Sequence, residues 1–304
     1  MIWLISIIFH FAYLWAYKKC IFAKLCYKKV ISRYFLSILK LFSLYHRTNF
    51  AKFVSSIEHT KPTGNESYSR KLYTFAHAIK RKKLMKAIAI NGSPRKNWNT
   101  LILLEMCMEG AKEAGAETEI INLYDFQYKG CTSCFACKLK GVVLDKCAMI
   151  DELEPILQKI CECDILALGS PIYFSSVTGQ MRSFLERLHF PYSSYEGKPS
   201  SFGKVINTAL IFTMNAPAFA IPLIGYHRIF RYLKKLMKRT FGSCETMVVT
   251  ETYQFEDYSK YAMTYFDGAK RLKRRNTVFA KECEKAYELG KKLCTSYFID
   301  VPNI

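Results

Sequence analysis

The chain has no Gly-Lys-Ser/Thr loop and no G-x-G-x-x-G run. The first absence removes the lysine and the magnesium-binding hydroxyl of a nucleoside-triphosphate site. The second removes the glycines that let a backbone approach a pyrophosphate. No Ser-His-Asp set and no paired carboxylates stand out, and the six His are scattered without metal-ligand spacing. Acidic residues are scarce, 25 against 45 Lys and Arg, and the shortage is uneven. Residues 1–84 hold 16 Lys and Arg and 2 acids, a balance of +14, leaving 29 and 23, or +6, for residues 85–304. Most of the basic excess therefore belongs to an N-terminal extension. No nucleic-acid module accompanies it, so no nucleic-acid partner is expected.

Against these absences stands Lys86 to Thr100, KAIAINGSPRKNWNT. Ala87 to Ile90 reads as a buried strand, Asn91-Gly92-Ser93-Pro94 breaks it, and a helix begins near Asn99-Thr100. Such a joint presents free backbone N–H groups at a helix N-terminus, a ready phosphate site. Hydroxyls, amides and Arg95, without a metal-binding signature, suit a terminal monophosphate, and FMN carries that group. The competing reading is an ordinary turn with a Ser and an Asn cap. A second segment repeats the design: Ile165 to Leu168 is a continuous apolar strand ended by Gly169-Ser170-Pro171, followed by Tyr173, Phe174 and a helix from Gln180 to Leu188. Aromatics at a strand's C-terminal end stand where open α/β sheets bind ligands.

Together the two segments resemble the flavodoxin-like NAD(P)H-dependent FMN reductase family, including its iron–sulfur flavoprotein branch, over about residues 85–295. The resemblance implies that the loop of Ser93, Pro94, Arg95, Asn97, Asn99 and Thr100 holds the FMN phosphate. It implies that Pro171, Ile172, Tyr173, Phe174 and Ser175 line the isoalloxazine ring. A third run, Val205 to Phe212, leads into Met214 and Asn215, which in the family border the flavin. Trp98 departs from the family's usual Gly. The implied activity is hydride transfer from NAD(P)H to FMN and on to a flavin, quinone, nitro compound or metal centre, by a homodimer. Two other readings stand beside it: an electron-transfer iron–sulfur flavoprotein fed by a protein partner, and a cofactor-less, membrane-tethered binding domain.

Of twelve cysteines, four form an unusual group: Cys131, Cys134 and Cys137 in two C-x-x-C steps, with Cys147 ten positions later. Adjacent thiolates in one loop suit a soft metal. The family's iron–sulfur branch places such a run in this loop, with the fourth cysteine nearer. A [4Fe–4S] cluster, unligated thiols and zinc remain open, and disulfides are disfavoured by the reducing compartment the resemblance implies.

The order of segments from Lys86 predicts an α/β domain with a doubly wound, five-stranded parallel sheet in the order 2-1-3-4-5. Strands are expected at 86–91, 119–123, 164–169, 204–213 and 246–250. Helices are expected near 99–114, 150–162, 178–189, 226–239 and 277–296. The basic run Lys270 to Arg275 reads as a solvated face, and the stretches 192–202 and 251–268 as a substrate mouth or dimer contact. Residues 1–84 are a separate extension. Met1 to Tyr17 is apolar and barely long enough to span a bilayer, and Lys18-Lys19 after it would keep the domain cytoplasmic. One reading is a leader that associates with membrane through residues 1–45. The other is a mis-assigned start, since no second Met precedes Met85 and no Asp occurs before it.

Overall fold

The computed structural model describes residues 84–140, 146–197 and 200–296. The expected extension at 1–84 lies outside them apart from Leu84. Strand β1 (Lys86–Asn91) leads to helix α1 (Asn99–Glu113), β2 (Glu117–Asn122), α2 (Glu154–Glu162) and β3 (Ile165–Tyr173). A two-residue β4 (Ser176–Val177), α3 (Gly179–His189), β5 (Asn207–Thr213) and a short α4 (Ala220–Ile224) follow. Then come α5 (Tyr226–Phe241), β6 (Glu245–Val249) and α6 (Gly268–Ser296). The main path of the sheet is parallel and runs β2-β1-β3-β5-β6, with β4 pairing antiparallel to the end of β3.

The expected order therefore holds along the main path, and the sheet has six strands rather than five. The sixth exists because β3 does not stop at Gly169. It keeps its register with β5 as far as Pro171 opposite Thr213, then folds back at Phe174-Ser175 so that Ile172 pairs with Val177. Both turn residues have positive φ, 47° and 62°, the pair of left-handed conformations a tight hairpin requires. Helix α6 begins nine residues before its expected start at 277, so the basic run 270–275 is helical.

The strands alternate between two cores, as a period of two dictates. Ile88, Ile90, Leu166, Leu168, Leu210 and Phe212 pack against α2, α3 and α5. Ala87, Ala89, Ala167 and Ala209 face the other way, with Ile165 and Ile211, toward α1 and α6. The small residues on that face let α1 lie close to the sheet. Tyr192 and Phe202, the two ends of the stretch 192–202, pack inward: Phe202 lies edge-on against Tyr192 at 4.8 Å and against Phe241 at 4.9 Å.

His189, at the end of α3, is buried beside Phe241, with Nδ1 2.8 Å from the Thr240 hydroxyl. Burial pushes its pKa down to about 3. The folded-state value is depressed, so the ring is neutral in both states above the unfolded value of about 6.5. Below that pH the unfolded chain takes up the proton and the folded chain does not, and stability falls. Between pH 7 and pH 5 this group alone should remove about 2 kcal/mol of stability. Urea unfolding at the two pH values, with His189→Gln as reference, measures it. An identical pH dependence in the variant would refute the assignment.

Candidate active site at the carboxyl ends of the strands

The loop after β1 is built from local hydrogen bonds. Asn91 is fully buried; its amide donates to Asn122 Oδ1 at 2.9 Å and its oxygen accepts from the Ser93 N–H at 3.0 Å. Ser93 Oγ in turn accepts from the Arg95 N–H at 3.2 Å. Gly92 joins the two loops that the sequence singles out: its N–H donates to Gly169 O at 2.8 Å, and its carbonyl accepts from Thr178 Oγ1 at 2.7 Å. A Cβ at Gly92 would meet Met181 Cβ at 2.9 Å and the Gly169 carbonyl at 3.2 Å, a close approach that favours glycine. Helix α1 then starts with no side-chain cap and no acid in its first turn, leaving its N-terminal dipole uncompensated.

A cavity of about 260 Å³ opens at this joint. Ser93, Arg95, Asn99 and Thr100 line one part of it; Pro171, Ile172 and Tyr173 from the end of β3, with Met214 and Asn215 after β5, line another. The structure thus brings nine of the thirteen sequence-selected residues to one cavity. The other four lie off its wall: Pro94 and Asn97 are exposed, Asn97 at φ 63°, and Phe174 and Ser175 form the exposed hairpin turn. Trp98, Thr213, Ala216, Tyr226, Thr252 and Gln254 also line the cavity and had not been selected as site residues. Thr213 was within reach of the rule that loops at strand ends bind ligands, and its hydroxyl lies 2.8 Å from that of Thr100.

Thr252 and Gln254 come from the segment after β6. The Tyr253 carbonyl accepts from Trp98 Nε1 at 3.0 Å and Asn99 Nδ2 at 2.8 Å, and the Gln254 carbonyl accepts from Arg95. The Arg95 guanidinium lies 5.5 Å from the Trp98 ring centre and 5.7 Å from that of Phe255. Burial raises the pKa of the Tyr173 phenol, and the charge of Arg95 opposes that rise. The arginines of the basic run of α6 are engaged, and Lys270 and Lys273 are its solvated part. Arg271 is buried, pairs with Glu251 at 3.0 Å and donates to Asn215 O at 3.2 Å; Arg275 donates to Asn99 Oδ1.

Residues 85–211 match the family model described as NADPH-dependent FMN reductase. Over that stretch the domain is similar to the flavodoxin-like FMN reductase family. An iron-sulfur flavoprotein of Archaeoglobus fulgidus is 39% identical over 127 residues, 41% of this chain and 60% of that protein. One of Methanocaldococcus jannaschii is 41% identical over 103 residues, 34% of this chain and 51% of that protein. The chain thus spans only about half to three-fifths of these relatives. An NAD(P)H:quinone oxidoreductase from Methanothermobacter marburgensis superposes with a TM-score of 0.53 at 15% identity, covering 69% of this chain and all of that one, a likeness of fold.

A second feature of this domain is the cysteine loop. Cys131, Cys134, Cys137 and Cys147 line one small cavity of about 10 Å³, with Met149, Arg187, Phe190 and Pro191. That is space for about one water. All four are free thiols, and burial raises the Cys137 thiol above its ordinary value. The loop is tied to α3 and the turn after it: the Cys131 N–H donates to Glu186 Oε2 at 3.3 Å, and Lys138 Nζ donates to Pro191 O at 2.7 Å and Ser193 O at 2.6 Å. Among the described residues no three His, Cys, Asp or Glu side chains are gathered about a point that could hold a metal ion. None of the described helices is long and apolar enough to cross a membrane.

Proposed function

We propose that this chain is an FMN-dependent NAD(P)H oxidoreductase, with residues 85–304 as its catalytic domain. The observation that carries the reading is the division of one cavity into two chemistries. Hydroxyls, an amide and Arg95 meet at the uncapped start of α1, and Pro171, Ile172, Tyr173 and Met214 stand on the other side. A flavin mononucleotide has the same division, a dianionic phosphate at one end and a flat apolar ring at the other. The donors fit the phosphate: Ser93 and Thr100 offer hydroxyls, Asn99 an amide and Arg95 a charged fork. Arg95 and Asn99 now serve neutral backbone carbonyls, and an anionic oxygen is the stronger acceptor for both. Ile172, Tyr173 and Met214 suit the ring by dispersion and aromatic contact. Bound FMN supplies hydride acceptance from NAD(P)H and onward electron transfer. The protein's own part is to bind, to orient and to keep the ring's buried side from water. The same proposal holds that the acceptor is a small molecule or a protein and that the working unit is a homodimer.

The four thiols around one cavity favour an iron–sulfur group as a companion to the flavin. The four thiols match the number and kind of ligand a [4Fe–4S] cluster takes, and Cys131, Cys134, Cys137 and Cys147 would hold it, the loop opening from a cavity that now has room for about one water.

The test is the visible spectrum of anaerobically purified full-length protein, with FMN and iron quantified. Stoichiometric FMN that bleaches on adding NADPH or NADH is expected. Protein that is colourless and takes up no FMN would overturn the reading. Flavin that is reduced by neither nicotinamide would leave an electron carrier in its place.

A further inference from the structure

We propose that Arg187 is the positioning residue of the four-thiol site: it closes the cysteine loop around its cavity and raises the reduction potential of the iron–sulfur group held there. The inference rests on the iron–sulfur part of the reading above.

Arg187 heads the fully buried side chains of the described residues by volume, with no exposed side-chain area. A buried charge is retained only where partners compensate it. The contacts are specific. Nη1 pairs with the Asp151 carboxylate and donates to Lys129 O at 3.4 Å; Nη2 donates to Met149 O at 3.0 Å. Lys129 stands two residues before Cys131, and Met149 two residues after Cys147. One guanidinium therefore holds both ends of the segment that carries all four thiols. A planar fork with five donors can do this, and a lysine's point charge cannot reach both carbonyls with the same geometry.

Arg187 also has a donor to spare. Its Nε–H is buried and has no acceptor in the protein. The same side chain lines the cavity of Cys131, Cys134, Cys137 and Cys147. A positive charge and an N–H beside thiolate or sulfide sulfurs stabilise the more negative, reduced state and raise the potential. Asp151 lies on the Nη1 edge of the fork, so it compensates the cation without occupying Nε. A purely structural arginine would satisfy the loop carbonyls and leave the potential unaffected.

The experiment uses the full chain as wild type, Arg187→Lys and Arg187→Met, reconstituted anaerobically with ferrous iron and sulfide. Iron and sulfide content and the reduction potential are read by an optical redox titration, and FMN content reports that the domain is folded. Arg187→Met should lose half or more of its iron, and the remaining cluster should shift to more negative potential. Arg187→Lys, which keeps the charge, should shift less and covers the case in which the Met variant fails to fold. Wild-type content and potential in both variants would overturn the proposal. Loss of iron at unchanged potential would overturn the tuning role. A wild-type chain that binds FMN yet takes up no iron or sulfide would instead sink the iron–sulfur reading, and this inference with it.

Discussion

Replacing Arg95 with Ala is expected to weaken FMN binding by about 10- to 100-fold and to leave riboflavin binding nearly unchanged. The range follows from the loss of a charged hydrogen bond to a buried anion, about 1.5–3 kcal/mol. Arg95 is the cation on the cavity wall nearest the open N-terminus of α1, and its guanidinium is held between Trp98 and Phe255. Riboflavin has the same ring and lacks the phosphate, so the ratio of the two affinities isolates the contact. Arg95→Lys should recover part of the loss, because the charge remains and the bidentate fork does not. Fluorescence titration of apoprotein with both ligands is the measurement. If FMN and riboflavin weaken together, Arg95 shapes the loop without meeting the phosphate.

The second large effect is on stability, at the crossing of α1 and α6. Gly110 and Gly290 let the two backbones touch. A Cβ at Gly290 would stand 1.8 Å from Cys107 O, and one at Gly110 would stand 1.9 Å from Tyr287 O. The obstructing atoms are backbone, so no rotamer change relieves them and the helices must separate. Overpacking of a core costs about 1–3 kcal/mol and sometimes more. With backbone as the obstacle, Gly290→Ala belongs at the upper end, about 3 kcal/mol, and should lower Tm by about 6–12 °C in a domain of this size. Gly179→Ala is the control, since nothing lies within 4 Å of a Cβ there. Equal melting of the two variants by circular dichroism would show that the crossing relaxes freely.

Much of the domain is legible without coordinates, for a local reason. Ala87–Ile90 and Ile165–Leu168 are uninterrupted apolar runs, which only a strand covered on both faces can bury, and both form central strands. The polar joints after them, at Gly92-Ser93 and Gly169-Ser170, mark where the ligand-facing loops emerge. The misreadings also have physical causes. Pro171 signalled an end to β3, yet a proline can stay where its missing N–H is not needed and the strand continues in a hairpin. The run 270–275 looked solvated because its charges have no acid in the next turn; Glu251, which pairs with Arg271 at 3.0 Å, lies twenty positions back.

The sequence by itself determined the five strands of the main path, the two loops that meet at the cavity and the four-cysteine pattern, because each is a short run whose chemistry is complete within about fifteen residues. Only the tertiary structure decided what closes those loops. Tyr253 reaches Trp98 across 155 positions and Gln254 reaches Arg95 across 159. Arg187 sits on a helix forty residues beyond the last of the thiols it serves, with nothing in its own segment to mark it. Such partners are chosen by how the helices pack on the sheet, and packing sums weak contacts from the whole chain that no local pattern records.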